Sequence, residues 1–305
     1  MDTVTERRGI VVMAYGTPQS LDEVEAYYTD IRRGHPPPPE LLDELMDRYR
    51  AIGGRSPLLE ITRAQAAGVE QRTGIKTYIG QKHAAPFIRD AVEQLQRDGV
   101  ERAAGLVLAP HYSKMSVGDY EGRVHRAAGE LGWTGQLEMV QNWHLEPGYL
   151  DYLAREVTAA LNDIPPAARD ETEVVFSAHS LPQKILESGD PYADQLAETG
   201  RAVADRLGIE RWRTGWQSAG RTKDPWLGPD ILEIIRELAA RDTRGVVVCP
   251  CGFVADHLEV LYDIDIEAQA LANEVGLELR RTRSPNDDPR FLDSLATVVE
   301  KAFDA

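Results

Sequence analysis

Short apolar runs recur along the chain, and the helical patterns between nearly all of them constrain the fold more than any other feature. The runs are Gly9–Ala14, Lys76–Ile79, Ala104–Ala109, Leu137–Gln141, Glu173–Phe176, Arg213–Gln217, Gly245–Val248 and Leu277–Arg281. Val246, Val247 and Val248 are consecutive β-branched residues, as a strand buried on both faces requires. Helical patterns at Glu40–Ala51, Leu58–Arg72 and Pro147–Asn162 complete the alternation, and Ser20 is positioned to cap a further helix running to about Ile31. Strands that alternate with helices form parallel sheets covered on both faces, so the chain is predicted to be α/β, built of two similar βαβ halves. Its 305 residues suffice for two cores. Pro165-Pro166 is the best boundary, giving 1–165 and 166–305, with a last helix at 288–303 expected to pack back on the first half.

Ligands of open α/β sheets sit beyond the carboxyl ends of the strands, in a cleft. Tyr15, Lys82-His83, Pro110-His111-Tyr112 and His179 all fall at such ends. Singly, a strand-end histidine is more often a hydrogen-bonded structural residue than a ligand, and Tyr112, Tyr120, Trp143 and Trp226 also suit plain packing. A second signal lies in Gly252–Gln269, which reads as one long helix after the turn Cys249-Pro250-Cys251. On it Asp256, Glu259, Asp263 and Glu267 fall at i, i+3, i+7 and i+11 and line one face. Like charges so placed repel, and a hard divalent cation with oxygen ligands would offset the repulsion. A solvated acidic face is the alternative.

Composition removes several classes. A hydrophobic content of 42% and a charged content of 28% describe an ordinary globular protein. No apolar run approaches the roughly 20 residues that span a bilayer, and the N-terminal stretch lacks a signal-peptide layout, so a cytoplasmic protein without stable membrane insertion is expected. The net charge of −16 argues against nucleic acid. The chain contains neither G-x-G-x-x-G nor a P-loop motif, the best nucleotide signals. Two cysteines cannot supply the four thiolates of a usual iron–sulfur cluster or structural zinc site. One island is less acidic than the rest. Arg32, Arg33, Arg48, Arg50 and Arg55 stand against Glu40, Asp43, Glu44 and Asp47, a balance of 5 − 4 = +1. Guanidinium forks there could take carboxylates, with the Ser56 hydroxyl and the Tyr120 phenol beside them.

Four motifs in one order, Ser177-Ala178-His179-Ser180-Leu181-Pro182, Gly215-Trp216-Gln217-Ser218, Asp224-Pro225-Trp226-Leu227-Gly228-Pro229 and Gly252-Phe253-Val254-Ala255-Asp256-His257-Leu258-Glu259, closely resemble those of the ferrochelatases. Met13–Pro18 and Ile31–Gly34 extend the likeness over essentially the whole chain, which is most similar to the short bacterial branch that metallates coproporphyrin III. The resemblance implies two Rossmann-like domains of chelatase type, with porphyrin held in the cleft beside helices of the first. It implies insertion of Fe²⁺ into coproporphyrin III, giving coproheme on the route to haem b, by a monomer with neither organic cofactor nor iron–sulfur cluster. His179 and Glu259 map to the family's catalytic pair. Those two together with Asp263 and Glu267 map to its metal path, on a helix locally widened to π geometry. Tyr15 maps to the ring face away from His179, and Arg32, Arg33, Arg48, Tyr49, Ser56, Tyr120 and Trp226 complete the porphyrin contacts expected. The same enzyme acting on protoporphyrin IX, a related cobalt chelatase, and a tetrapyrrole or haem carrier that does no chemistry remain as alternatives.

Overall fold

A computed structural model describes residues 6–241 and 243–304. The chain divides into two compact units. The first takes the chain up to Pro110, Lys114–Trp143, and the chain from Asn286 onward; the second takes His111–Ser113 and His144–Pro285.

In the first unit β1 (Arg8–Ala14) is followed by α1 (Val24–Ile31), α2 (Pro39–Ala51), α3 (Leu58–Thr73), β2 (Thr77–Gln81), α4 (Ile88–Arg97), β3 (Arg102–Val107), α5 (Val117–Leu131) and β4 (Gln136–Met139). The strands form a parallel four-stranded sheet in the order β2-β1-β3-β4, with Val12 opposite Ile79 on one side and Leu106 on the other. Ile10, Val11, Val12 and Met13 are fully buried, the result of an unbroken apolar run placed at the centre of a sheet covered on both faces. Ser20 does not cap α1. A 3₁₀ turn, Leu21–Glu23, comes first, and the Ser20 side chain makes no capping bond.

The second unit contains α6 (Pro147–Asp163), α7 (Pro166–Arg169), β5 (Thr172–His179), α8 (Tyr192–Leu207), β6 (Trp212–Gln217), α9 (Ile231–Ala240), β7 (Gly245–Cys249), α10 (Leu258–Leu261), a π-helical turn at Asp263–Ala268, α11 (Gln269–Val275) and β8 (Glu278–Arg281). Its sheet, β6-β5-β7-β8, is again parallel and four-stranded. The division falls between Trp143 and His144 rather than at Pro165-Pro166. Phenols explain the difference, because Tyr149 Oη on α6 donates to the Cys251 carbonyl (2.5 Å) and Tyr152 Oη to that of Ser284 (2.9 Å), tying α6 to this unit. The helix α12 (Pro289–Asp304) lies in the first unit, against α3. Gly68 makes room for it, since a Cβ there would stand 2.5 Å from Leu292. Arg72 Nε then bonds the Asp293 carboxylate at 2.5 Å.

The stretch read as one helix from Gly252 is broken into parts. The backbone stays non-helical through His257, an extended residue with φ −160°, and helix begins only at Leu258. Asp256 is therefore off the helix, and its carboxylate accepts from Ser284 Oγ at 2.8 Å. Ile264 and Ala268 of the π turn enter the core formed by Ile231, Ile234, Val246 and Val248. Among the described residues no helix is long and apolar enough to cross a membrane.

Candidate active site

The second unit's site grows from the ends of β5, β6 and β7. His179 closes β5 and pairs in register with Gln217, the last residue of β6. Beyond β7 the chain doubles back, and Gly252 N–H donates to the Ser177 carbonyl at 2.9 Å. Only glycine permits that approach, because a Cβ at 252 would overlap that of Ala178 and stand 2.7 Å from its Cα. The close pass delivers residues 252–259 beside His179. Gln217 then holds what arrives: its Nε2 donates to the Glu259 backbone carbonyl at 2.7 Å, while Ser177 Oγ donates to its Oε1 at 3.1 Å.

His179 Nδ1 is hydrogen-bonded to the Ser180 carbonyl. A carbonyl only accepts, so Nδ1 carries the proton and the neutral ring presents its lone pair at Nε2. Nε2 lies 3.7 Å from Glu259 Oε1, with the two side chains 34% and 28% exposed. This is a base and a carboxylate facing one another within reach of a ligand. The Trp226 ring, 6.4 Å from the His179 ring, adds a flat apolar wall, fixed by Nε1 donating to Thr222 Oγ1 at 2.8 Å.

Glu259 has an imidazole on its other side that was not singled out from the sequence. His257 Nε2 is 3.7 Å from Glu259 Oε2, and its Nδ1 donates to the Ala255 carbonyl at 2.9 Å. Burial works against the charged ring, but Glu259 and the Ala255 carbonyl outweigh it, so His257 titrates above an ordinary histidine. Its position two residues before Glu259 was the available signal. Ser218 was missed as well. It adopts φ 60°, a left-handed conformation costly to a residue with a Cβ, and from there its hydroxyl donates to Asp263 Oδ2. Glu267 lies farther along the chain; burial raises the pKa of Asp230, and the charges of Glu233 and Glu267 add to the rise. His179, Glu259, Asp263 and Trp226 are thus assembled in one region. Among the described residues no three His, Cys, Asp or Glu side chains converge closely enough to chelate one ion.

The first unit holds the other residues expected to meet a porphyrin. Tyr15, directly after β1, is 40% exposed, with its ring 4.6 Å from that of His83. Lys82, directly after β2, lies 5.6 Å from the Tyr15 ring and 4.9 Å from that of Tyr120. Its Nζ pairs with Asp119 at 2.7 Å, and His83 Nδ1 meets Asp30 at 2.6 Å. Burial, aided by the charges of Lys82 and Arg123, lowers the His83 pKa despite Asp30. The basic island is less available than its net charge suggested. Arg48 pairs with Glu44 (3.3 Å), Arg50 with Asp47 (2.6 Å) and Arg55 with Glu60 (3.1 Å). Arg32 lies over the Tyr28 ring at 5.9 Å, and Arg33 is exposed in a left-handed conformation at φ 57°. Tyr49, at 1% exposure, is core; Ser56 is buried too, its Oγ accepting from the Leu58 amide at 3.3 Å as α3 begins.

Residues 7–303 match the family model described as Ferrochelatase. The chain is 46% identical, over 96% of its own length and 96% of the relative's, to the coproporphyrin III ferrochelatase of Halalkalibacterium halodurans. It is also 46% identical, over 98% and 97%, to the coproporphyrin III ferrochelatase of Geobacillus kaustophilus. The solved structure of SirB from Bacillus subtilis with Fe³⁺ superposes with a TM-score of 0.63, covering 97% of this chain and 95% of that one. At 12% identity that likeness is one of fold.

Proposed function

The chain belongs to the ferrochelatase family, and from that premise we propose that it inserts Fe²⁺ into coproporphyrin III on the route to haem b, as a cytoplasmic monomer. The tautomer and setting of His179 carry the reading. With Nδ1–H committed to Ser180, Nε2 is the ring nitrogen left to accept a proton, and it faces Glu259 across 3.7 Å. Metallation releases two pyrrole protons as Fe²⁺ enters, and no electron changes hands. Neither an organic cofactor nor an iron–sulfur cluster is needed for that balance. His179 takes a pyrrole proton at Nε2, and Glu259 stabilises the imidazolium that forms and passes charge along the row. Asp263 and Glu267 stand on the same helix as carriers for Fe²⁺ or for departing protons, oxygen donors suited to a divalent cation.

Coproporphyrin III has four propionates where protoporphyrin IX has two, so its enzyme needs carboxylate partners around the ring edge. Arg32 and Arg33 are assigned that role, since Arg48 already pairs with Glu44. Tyr15 is assigned to the ring face, where its exposed phenol can approach the metal of the product.

Anaerobic incubation of the purified protein with Fe²⁺ and each porphyrin, followed by the Soret band, tests both levels of the reading. Metallation of coproporphyrin III well ahead of protoporphyrin IX is expected without detergent. Equal efficiency with the two overturns the substrate, and binding of both without metallation overturns the reaction.

A further inference from the structure

The acid row depends on a π-helical turn, and such turns close poorly on their own. The Tyr262 carbonyl is shared between the amides of Ile266 (3.2 Å) and Glu267 (2.9 Å). Slipping that turn by one residue would rotate every later side chain by about 100° and so change where Glu267 points relative to Glu259. Ile264 and Ala268 anchor the inner side in the core. On the outer side Ile266 is 38% exposed, and packing contributes less.

Arg281, the last residue of β8, holds that outer side. Its Nε and Nη2 take both oxygens of Asp265 in the middle of the π turn, at 2.6 and 2.9 Å. Its Nη1 donates to the Thr282 carbonyl at 3.0 Å and lies 3.4 Å from Asp256 Oδ1, three residues before Glu259. With its side chain only 15% exposed, the guanidinium is removed from most of the solvent screening that weakens surface pairs. Burial disfavours the cation, and Asp265 and Asp256 more than offset this. One side chain thus grips the chain on both sides of Glu259.

We propose that Arg281 is a positioning residue: bidentate to Asp265 and beside Asp256, it fixes the π turn in register and so sets the spacing of Glu259, Asp263 and Glu267 along which Fe²⁺ travels. Its catalytic consequence rests on the chelatase reading; its structural consequence does not. Asp265 is accordingly a structural acid, distinct from its neighbours two residues away on either side.

The test combines Arg281→Ala, Arg281→Lys and Asp265→Asn with two readouts. By hydrogen exchange, Arg281→Ala and Asp265→Asn should each speed exchange of the Ile266 and Glu267 amides by about tenfold or more, with exchange in β5 and β6 unchanged. In kinetics, both should raise the KM for Fe²⁺ about tenfold while kcat changes less than about threefold, and the double variant should be no worse than either single one. Lysine, which cannot form the bidentate pair, should restore part of the effect. Unaltered exchange of those amides in Arg281→Ala overturns the proposal whatever the kinetics show, and so does faster exchange with an unchanged KM for Fe²⁺. If Arg281→Ala fails to fold, Asp265→Asn breaks the same contact from the other side. A wild-type protein that metallates neither porphyrin sinks the chelatase reading alone, and the exchange arm still decides whether Arg281 holds the turn.

Discussion

The two units share a strand order, β2-β1-β3-β4 and β6-β5-β7-β8, yet the ionisable groups beyond their strands are arranged in opposite fashion. Among the described residues of the first unit, the buried ionisable groups beyond the strands have close carboxylate partners: the Lys82 ammonium meets Asp119 at 2.7 Å, and the His83 ring meets Asp30 at 2.6 Å. In the second, Glu259 stands 3.7 Å from each of two imidazoles, and further carboxylates follow on one helix. A compensated set holds its shape and gains little from a further ion. A set with surplus negative charge and a ring nitrogen bearing a lone pair has something to gain from a cation and somewhere to put a proton. On the proposed function, the same architecture holds the porphyrin's edge in one unit and supplies the base and the acids in the other, and the two differ in how close the counter-charges sit.

The sharpest way to break this contrast is His179→Ala. Loss of a general base costs ~10²–10⁴-fold in kcat, and porphyrin binding, followed by the Soret shift without iron, should persist. Retention of more than about a tenth of wild-type kcat would place the base elsewhere.

Asp119→Asn probes the other unit. It leaves the buried Lys82 ammonium without its nearest carboxylate. Removing one partner of a fully buried pair costs ~3–5 kcal/mol, and partial exposure of Asp119 reduces that to about 1–3 kcal/mol here, read from urea melts. The accompanying fall in kcat should be far smaller than that of His179→Ala. A larger fall would mean that the first unit's charges take part in the reaction.

Along the acid row, Glu259→Gln should depress kcat, whereas Glu267→Gln should act chiefly on the KM for Fe²⁺, by about threefold to tenfold. Equal and negligible effects from both would return the row to a solvated face.

The smallest effect compares two histidines. His257 has its pKa raised and His83 has its pKa lowered. The stability that the charged His257 ring contributes is fully present below the ordinary histidine pKa and is lost as pH rises through the raised value. His83 folds preferentially neutral, so its contribution is present above the ordinary pKa and declines as pH falls toward the lowered one. Across that range His257→Gln and His83→Gln should change the pH dependence of unfolding in opposite directions. Histidine ring NMR titrations that put both residues on the same side of about 6.5 would contradict the contrast.

Much of this was legible in the residues because apolar runs at strand period report burial directly. Gly245–Val248 and Glu173–Phe176 appear within longer strands, and His179 falls at a strand end as read. What was not legible depends on contacts distant in sequence. The spacing of Asp256 from Glu259 fits a helix, and only the close pass of Gly252 against Ala178 shows that Asp256 stays outside it. The π turn at Asp263–Ala268 was expected through the family resemblance alone, since its own composition carries no mark that an α turn would lack; Ile264 and Ala268 in the core and Arg281 on the other side hold it. Pro165-Pro166 ends a helix rather than a domain, because the tyrosines of α6 donate into the second unit. The arginine island had a net charge that spacing could count, but Glu44, Asp47 and Glu60 had already claimed three of its members.

The placement of α12 in the first unit has a consequence for how the chain comes off the ribosome. His144–Pro285 supplies nearly all of the second unit as one uninterrupted stretch, whereas the first unit needs residues from both sides of it. Domains usually mature in the order of synthesis. Here the contacts of Gly68 and Arg72 of α3 with Leu292 and Asp293 cannot form until the entire second unit has been translated. Until then α12 cannot cover its face of α3, and transiently uncovered apolar surface is the kind on which chaperones act.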